Sequence, residues 1–230
     1  MIAGLSIGVV IPALNEEASI GLVLDSISTM FDRVVVVDNG STDRTAEIAR
    51  RNGAHVVHES QRGYGAACLR GIATLSENPP DVVLFLDADA SDHPEDALRV
   101  ATFVANGSCD MCLGSRVRGE HEQGSLTPVQ IFGNWLSTTL IRLLWKVHYT
   151  DLGPLRAIRW TTLSSLCMQD RTWGWTIEMQ IKAAKMNIRV LEVPVRYRIR
   201  IGTSKISGTI MGSIRAGTKI ITTIIRQAVR

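Results

Sequence analysis

The chain has 230 residues, 45% of them apolar and 20% charged, with a formal net charge of +3. That is enough for one full hydrophobic core, and it excludes a disordered or collagen-like chain. Four cysteines are too few for a disulfide scaffold, no stretch reaches the ~18 apolar residues of a membrane span, and residues 1–10 carry no charged leader, so a cytoplasmic protein is expected.

Residues 7–11 form a continuous apolar run, which predicts a strand buried on both faces. It leads into Pro12-Ala13-Leu14-Asn15-Glu16. Pro12 lacks an N–H and ends strand pairing, and Asn15 is placed to cap a helix over about residues 16–30. Glu16 either sits in that helix's favourable first turn or contacts a base and ribose. A dinucleotide site would carry Gly-x-Gly-x-x-Gly here, and its absence argues against an NAD enzyme.

A second strand over 33–37 runs into Asp38-Asn39-Gly40-Ser41-Thr42-Asp43. Gly40 permits positive φ, and Ser41 or Thr42 caps a helix over 43–52. Capping does not explain Asp38 at the strand tip, which is placed for a ribose hydroxyl or base. After a short strand over 54–57, Arg62-Gly63-Tyr64-Gly65 precedes a helix over 65–76. Small residues there let an anionic ligand approach a helix N-terminus, or simply make a tight turn.

A fourth strand over 82–86 ends in Asp87-Ala88-Asp89. Carboxylates two apart at a strand tip suit a hard cation, Mg²⁺ or Mn²⁺, which binds through one or two carboxylates plus substrate phosphates. A lone Asp-x-Asp is more often a solvated loop; its place at the end of an apolar strand distinguishes this one. Strand–helix alternation predicts a doubly wound α/β sheet, whose ligands lie beyond the carboxyl ends of its strands. The acidic residues emerge at that edge.

The second half predicts a strand over 110–114, a polar loop or lid over 116–127, an amphipathic helix over 128–145, a helix over 175–186 and a strand over 188–193. Cys109 and Cys112, three apart on a strand, should face opposite ways as buried thiols rather than bind zinc. Asp151 and Glu178 are the candidate bases should a hydroxyl be activated, with a helix-surface role as the alternative for Glu178.

Eight cations and no carboxylate follow Glu192, so the tail expects an anionic partner: a phosphate-bearing substrate, a membrane surface or a nucleic acid. Placed on a helix, Ile206, Ile210, Ile214, Ile221, Ile224 and Ile225 share one arc, and Lys205, Arg215, Lys219, Arg226 and Arg230 the other. The helix over 205–230 either packs on the sheet, completing the domain over 1–204, or meets anionic lipid at the inner face of the membrane. The intact acidic cluster argues against nucleic acid.

Taken in order, these motifs resemble family 2 glycosyltransferases. So do Pro94-Glu95-Asp96, Gly114-Ser115-Arg116, the segment from Asp151 to Arg156, that around Gly174 and Glu178, and that from Glu192 through Lys205. Within the family they are similar to the dolichyl- or polyprenyl-phosphate hexosyltransferases, over roughly residues 6–208. The resemblance implies a GT-A fold, a single α/β domain with a mixed, mostly parallel central sheet. It implies a UDP- or GDP-linked sugar donor, an inverting transfer and a Mg²⁺ or Mn²⁺ cofactor. On this pattern Pro12, Ala13, Glu16, Asp38 and Asp87 hold the nucleotide, with Asn15, Arg62, Gly63 and Ala88 beside them. Asp89 binds the metal with Asp87, and Arg116 with Arg200 and Lys205 holds the acceptor phosphate. The chain departs from the pattern in having Asn39 where Asp is usual and Ser91 where a Gln ligand is common, so Ser91, water or Asp92 completes the metal shell. Two rivals are a sugar-phosphate nucleotidyltransferase, whose Gly-rich first loop is missing, and a non-catalytic nucleotide-sugar binding module.

Overall fold

Four apolar runs of the first half become parallel strands: β1 (Ile7–Ala13), β2 (Arg33–Asp38), β3 (His55–His58) and β4 (Val82–Phe85). With β5 (Met111–Ser115), β6 (Arg156–Arg159) and β7 (Val190–Pro194) they build a seven-stranded sheet in the order β3-β2-β1-β4-β6-β5-β7. The computed structural model describes residues 1–202 and 210–229. All neighbours pair in parallel except β6, which runs antiparallel to both β4 and β5. The sheet is therefore mixed and mostly parallel, as expected.

Helices cover both faces. α1 (Ile20–Ile27), α2 (Thr45–Arg51) and α4 (Pro94–Ala105) lie with the core that holds Ile7, Val9 and Ile11. α3 (Tyr64–Leu75), α5 (Pro128–Trp145), α6 (Trp160–Leu166) and α7 (Trp175–Lys185) lie with the core that holds Val10, Val35 and Phe85. The two-residue period of β1 sends alternate side chains to the two cores. Gly71 of α3 makes the close approach: a Cβ there would stand 2.4 Å from a Val10 methyl, so this helix sits directly on β1.

α4, β6 and α6 are additions to the predicted elements. Pro94 at the start of α4, with Glu95 and Asp96 in the first turn, is a helix-start pattern. Arg156-Ala157-Ile158-Arg159 has charge at both ends and no apolar run; its pairing is set by long-range contacts. Arg156 is buried there because its guanidinium donates to the carbonyls of Gly153, Pro154 and Thr176.

Two expectations need correction. Cys109 and Cys112 are buried free thiols, as expected, but they join the same core cluster, because β5 begins only at Met111 and Cys109 precedes the strand alternation. The last helix, α8 (Ile210–Val229), packs on α5 and α7 rather than on the sheet. Its two arcs are also not divided as expected. Ile224 is buried but Ile225 is 57% exposed, and Lys219 pairs with Asp170 at 2.9 Å instead of facing solvent. Lys205, Ile206 and Arg230 lie outside the described residues.

Candidate active site

The register places Pro12 opposite Val37 and Ala13 opposite Asp38, while Val10 pairs with Phe85, so β1, β2 and β4 end side by side. A cavity of about 440 Å³ opens over those tips. Pro12, Ala13 and Glu16 from the first tip, Arg62 and Gly63 ahead of α3, and Asp87, Ala88 and Asp89 from the fourth tip, all singled out in the sequence, line it together. Arg200 lines it too, although more than a hundred residues separate it from Asp89.

Arg200 is brought there by backbone pairing. The Arg198 N–H donates to the Ser91 carbonyl and the Ile201 N–H to the Asp89 carbonyl, both at 2.9 Å. The segment thus runs along the Asp89–Asp92 turn, and the Arg200 guanidinium pairs with Asp89 Oδ2 at 3.1 Å and with Glu16 Oε1 at 3.3 Å.

The acidic tip is strongly organised. Asp89 is 3% exposed, and its Oδ1 accepts from the Ser91 N–H at 3.0 Å and from the Ser91 hydroxyl at 2.5 Å. Asp87 Oδ1 accepts from the Tyr64 hydroxyl at 3.2 Å. Burial, followed by the charge of Asp89, pushes the Asp87 carboxyl up to about 7, with Arg200 opposing the rise. Asp92 is buried behind them, and neither of its oxygens meets a hydrogen-bond donor at full geometry. Burial and then the Asp87 and Asp89 charges push its carboxyl up as well.

Concentrated negative charge that one guanidinium only partly offsets is a site for a cation, and an all-oxygen donor set suits a hard divalent one. No group of three or more His, Cys, Asp or Glu side chains converges to hold a metal among the described residues. The tip therefore fits an ion held by one or two carboxylates and completed by a ligand's phosphate oxygens rather than a protein-only cage.

Among the described residues, the predicted site residues Asn15, Asp38, Ser91, Arg116, Asp151 and Glu178 do not line the cavity. Ser91 is turned onto Asp89, its N–H and hydroxyl both donating to Asp89 Oδ1. Asp38 stands behind the wall, accepting from the Ser41 N–H and lying 3.3 Å from His58 Nδ1, while its neighbour Asn39 reaches the cavity. Asn15 does not cap α1: it adopts φ 53°, and its side-chain oxygen accepts from the Thr42 N–H, clasping the first two strand-tip loops together. Neither Ser41 nor Thr42 caps α2, whose N-cap position is Arg44 with no side-chain cap; Asp43 just ahead of it accepts from the Thr45 N–H and hydroxyl.

Asp151 is clamped by Arg116 through three contacts of 2.8–2.9 Å. Burial alone would push the Asp151 carboxyl up, but Arg116, by charge and hydrogen bonds, outweighs it and holds the carboxyl below the usual range. The Arg116 guanidinium lies 5.1 Å from the centre of the Tyr197 ring. Glu178 is 2% exposed and accepts from the N–H groups of Gln169 and Asp170, with Lys182 at 2.8 Å. Neither acid lines the cavity: Asp151 is paired with Arg116, and Glu178 with Lys182 and two backbone N–H groups.

Leu14, Asn39, Tyr64, Ala67, Thr172 and Trp173 line the cavity without having been predicted to. Asn39 explains its own departure from the family pattern. Its amide donates to the carbonyls of Glu59 and Gln61 while its oxygen accepts from the Gly63 N–H, and a carboxylate could not donate.

Thr172 and Trp173 arrive on a loop braced from three sides. Glu178 holds its start. The Gly65 and Ala66 N–H groups of α3 donate to the Thr172 and Arg171 carbonyls. Asp170 accepts from the Thr172 and Gly174 N–H groups and pairs with Lys219 of α8. Gly65 is required at this contact, since a Cβ there would stand 2.1 Å from the Asp170 carbonyl oxygen. Burial pushes the Asp170 carboxyl up, but Lys219 and the Thr172 donors outweigh it and hold it below the usual 3.8. A lowered native value means that the pair's stabilisation is fully present above the usual value and is lost as pH falls through the native one. Melting curves between about pH 5 and pH 3 should therefore show Lys219→Ala losing less stability than the parent chain; equal losses would contradict this.

Comparison with known proteins agrees with the geometry. Residues 8–165 match the glycosyl transferase family 2 model. An uncharacterised glycosyltransferase of Mycobacterium tuberculosis is 38% identical over 93% of this chain and 95% of its own length. The dolichyl-phosphate hexose transferase of Haloferax volcanii is 32% identical over 97% of this chain and 96% of its own. The undecaprenyl-phosphate mannosyltransferase of Micrococcus luteus is 29% identical over 88% of each. Among solved structures, glucosyl-3-phosphoglycerate synthase of M. tuberculosis, in complex with Mn²⁺, UDP and its glucosyl product, superposes with a TM-score of 0.79 at 25% identity, covering 99% of this chain and 81% of that one. The sheet, its tip cavity and these matches lead to one conclusion: the chain belongs to glycosyl transferase family 2 and is a glycosyltransferase of GT-A fold.

Proposed function

We propose that this enzyme transfers a hexose, with inversion, from a nucleoside-diphosphate sugar to a polyprenyl-type lipid phosphate at the cytoplasmic face of a membrane. The observation that carries the acceptor class is the commitment of both candidate bases. Asp151 is locked to Arg116, and Glu178 to Lys182 and two N–H groups, away from the cavity. A hydroxyl acceptor needs a base. A phosphate monoester does not, because it is already ionised at pH 7 with a second pKa of about 6. The names of the Haloferax and Micrococcus relatives support the same acceptor class, and the UDP in the neighbouring structure supports a UDP-linked donor over a GDP-linked one.

Asp87 and Asp89 would hold Mg²⁺ or Mn²⁺, oriented by Tyr64 and Ser91. When bound, the ion neutralises charge on the departing diphosphate. Pro12, Ala13 and Asn39 accommodate the nucleoside, and Arg62, ahead of the α3 N-terminus, faces its phosphates. Trp173 and Thr172 bound the sugar. Arg200, which lines the cavity beside Asp89 and Glu16, meets the acceptor phosphate. That oxygen attacks the anomeric carbon from the face opposite the diphosphate; one C–O bond forms, one breaks, and the nucleoside diphosphate leaves with the electron pair.

Because Lys219 braces the Thr172–Trp173 loop from outside the cavity, Lys219→Ala should raise the donor KM roughly two- to thirtyfold, the reach of a coupling of about 0.5–2 kcal/mol, with kcat nearly unchanged. An unaltered KM would remove the brace from the account.

The reading itself is tested by offering UDP-glucose, UDP-N-acetylglucosamine and GDP-mannose with Mn²⁺ to a short-chain polyprenyl phosphate, 3-phosphoglycerate and a simple sugar. A polyprenyl-phosphate hexose with inverted anomeric configuration is expected. Transfer confined to phosphoglycerate or to a hydroxyl acceptor would overturn it.

A further inference from the structure

α5 carries large apolar side chains on both faces, and only one face is covered. Ser137, Thr138 and Ile141 are buried against the domain. On the opposite side Phe132 is 61% exposed, Trp135 58% and Leu143 61%. Phe132 and Trp135 pack together, ring centres 5.9 Å apart, in one exposed aromatic knob. A helix apolar all round is ordinarily buried, and clustered exposed apolar side chains mark a docking surface rather than an accident of the surface.

Charge identifies what docks. Neither α5 nor α8, which packs on it, contains a single Asp or Glu. Arg142 and Lys146 are exposed on α5 or at its end, and Arg226 is exposed on α8 beside the exposed Ile225. Aromatic and aliphatic groups on helices that carry cations and no carboxylate of their own match the interface of a bilayer containing acidic lipid. Among the described residues no helix is long and apolar enough to cross a membrane, so the contact lies along the surface.

Position ties this face to the Arg116–Asp151 clamp. Thr127 caps α5 with a full capping box, fixing the helix end that follows the loop from Arg116. One turn in, Asn134 donates to the Thr150 carbonyl and accepts from the Leu152 N–H, gripping the segment that presents Asp151 to Arg116. The aromatic knob and the Arg116 clamp are thus held by the same helix.

We infer that the exposed Phe132–Trp135 face of α5 seats the enzyme on an anionic bilayer surface, with Arg142, Lys146 and Arg226 contacting the headgroups. The inference extends the lipid-phosphate reading, but its test uses no acceptor. The full chain is sedimented with vesicles of phosphatidylcholine alone or mixed with phosphatidylglycerol, none containing polyprenyl phosphate. The parent should bind both and prefer the anionic ones. Phe132→Ser with Trp135→Ser should weaken binding to both by about tenfold or more. Arg142→Gln, Lys146→Gln and Arg226→Gln together should abolish the preference. Melting temperatures should stay within a degree or two, as expected for exposed side chains. Trp135 should be quenched by brominated lipid, and Trp135→Phe should lose that quenching while still binding.

Absence of parent binding, or undiminished binding by the double Ser variant, would overturn the inference. So would a dimer in solution that the double Ser variant dissociates, since a second copy would then occupy the face. Vesicle binding without transfer to any lipid phosphate would leave this inference standing and sink the acceptor reading instead.

Discussion

Replacing Asp89 by Asn should lower the transfer rate by roughly 10²–10³-fold, the usual cost of removing one group that stabilises charge on a departing anion. The fold should survive. The Asn side-chain oxygen still accepts from the Ser91 N–H and hydroxyl, which hold Asp89 Oδ1 now. What disappears is the second oxygen's charge, which pairs with Arg200 and faces the cavity with Asp87. Loss of that charge also relieves the repulsion that adds to burial in pushing the Asp87 carboxyl up. Initial rates at saturating donor and Mn²⁺, with a melting curve alongside, check both halves. A variant that melts like the parent and retains more than about a tenth of its rate would contradict the assignment.

Asp151→Ala should act on stability. Arg116 and Asp151 are 15% and 1% exposed at their side chains, and the pair is bidentate. Taking away one partner leaves a buried guanidinium without its counter-charge, at a cost of about 3–5 kcal/mol. Against a total stability of about 5–15 kcal/mol, that is enough to shift a denaturation midpoint visibly. The Tyr197 ring offsets only part of it, since a cation–π contact contributes about 0.5–2 kcal/mol. The double change Arg116→Met with Asp151→Leu should recover much of the loss, because replacing both members of a buried ion pair is often neutral. Urea titration of the three chains is the check. An Asp151→Ala chain as stable as the parent would mean that the pair is weaker than its geometry implies.

The strand tips were legible because parallel strands buried on both faces leave continuous apolar runs, and each run ends where its chemistry begins. Asp87-Ala88-Asp89 is a local pattern of that kind. Arg200 was legible only through resemblance, since its place depends on pairing between the 198–201 backbone and a turn far away in sequence. Thr172 and Trp173 had no local mark. Their loop is held by Glu178, the start of α3 and Lys219, elements remote from one another in the chain.

Glu178 and Asp151 are candidate bases by residue type and motif alone, and no local pattern reveals the hydrogen-bond donors and cations that the fold brings to both. β6 escaped because a strand bounded by arginines lacks the period that marks the others, and one of those arginines is buried by carbonyls from three other residues.

The central claim is that the Asp87–Asp89 tip and the cavity above it grip a nucleoside diphosphate through a divalent cation. Titrating UDP into the parent chain by calorimetry, first with Mn²⁺ and then with EDTA, tests it most directly. The account predicts one site whose affinity falls by at least about tenfold when the ion is removed, with the ion-dependent part missing in Asp89→Asn. Equal affinity with and without Mn²⁺, or full Mn²⁺ dependence in Asp89→Asn, would contradict it.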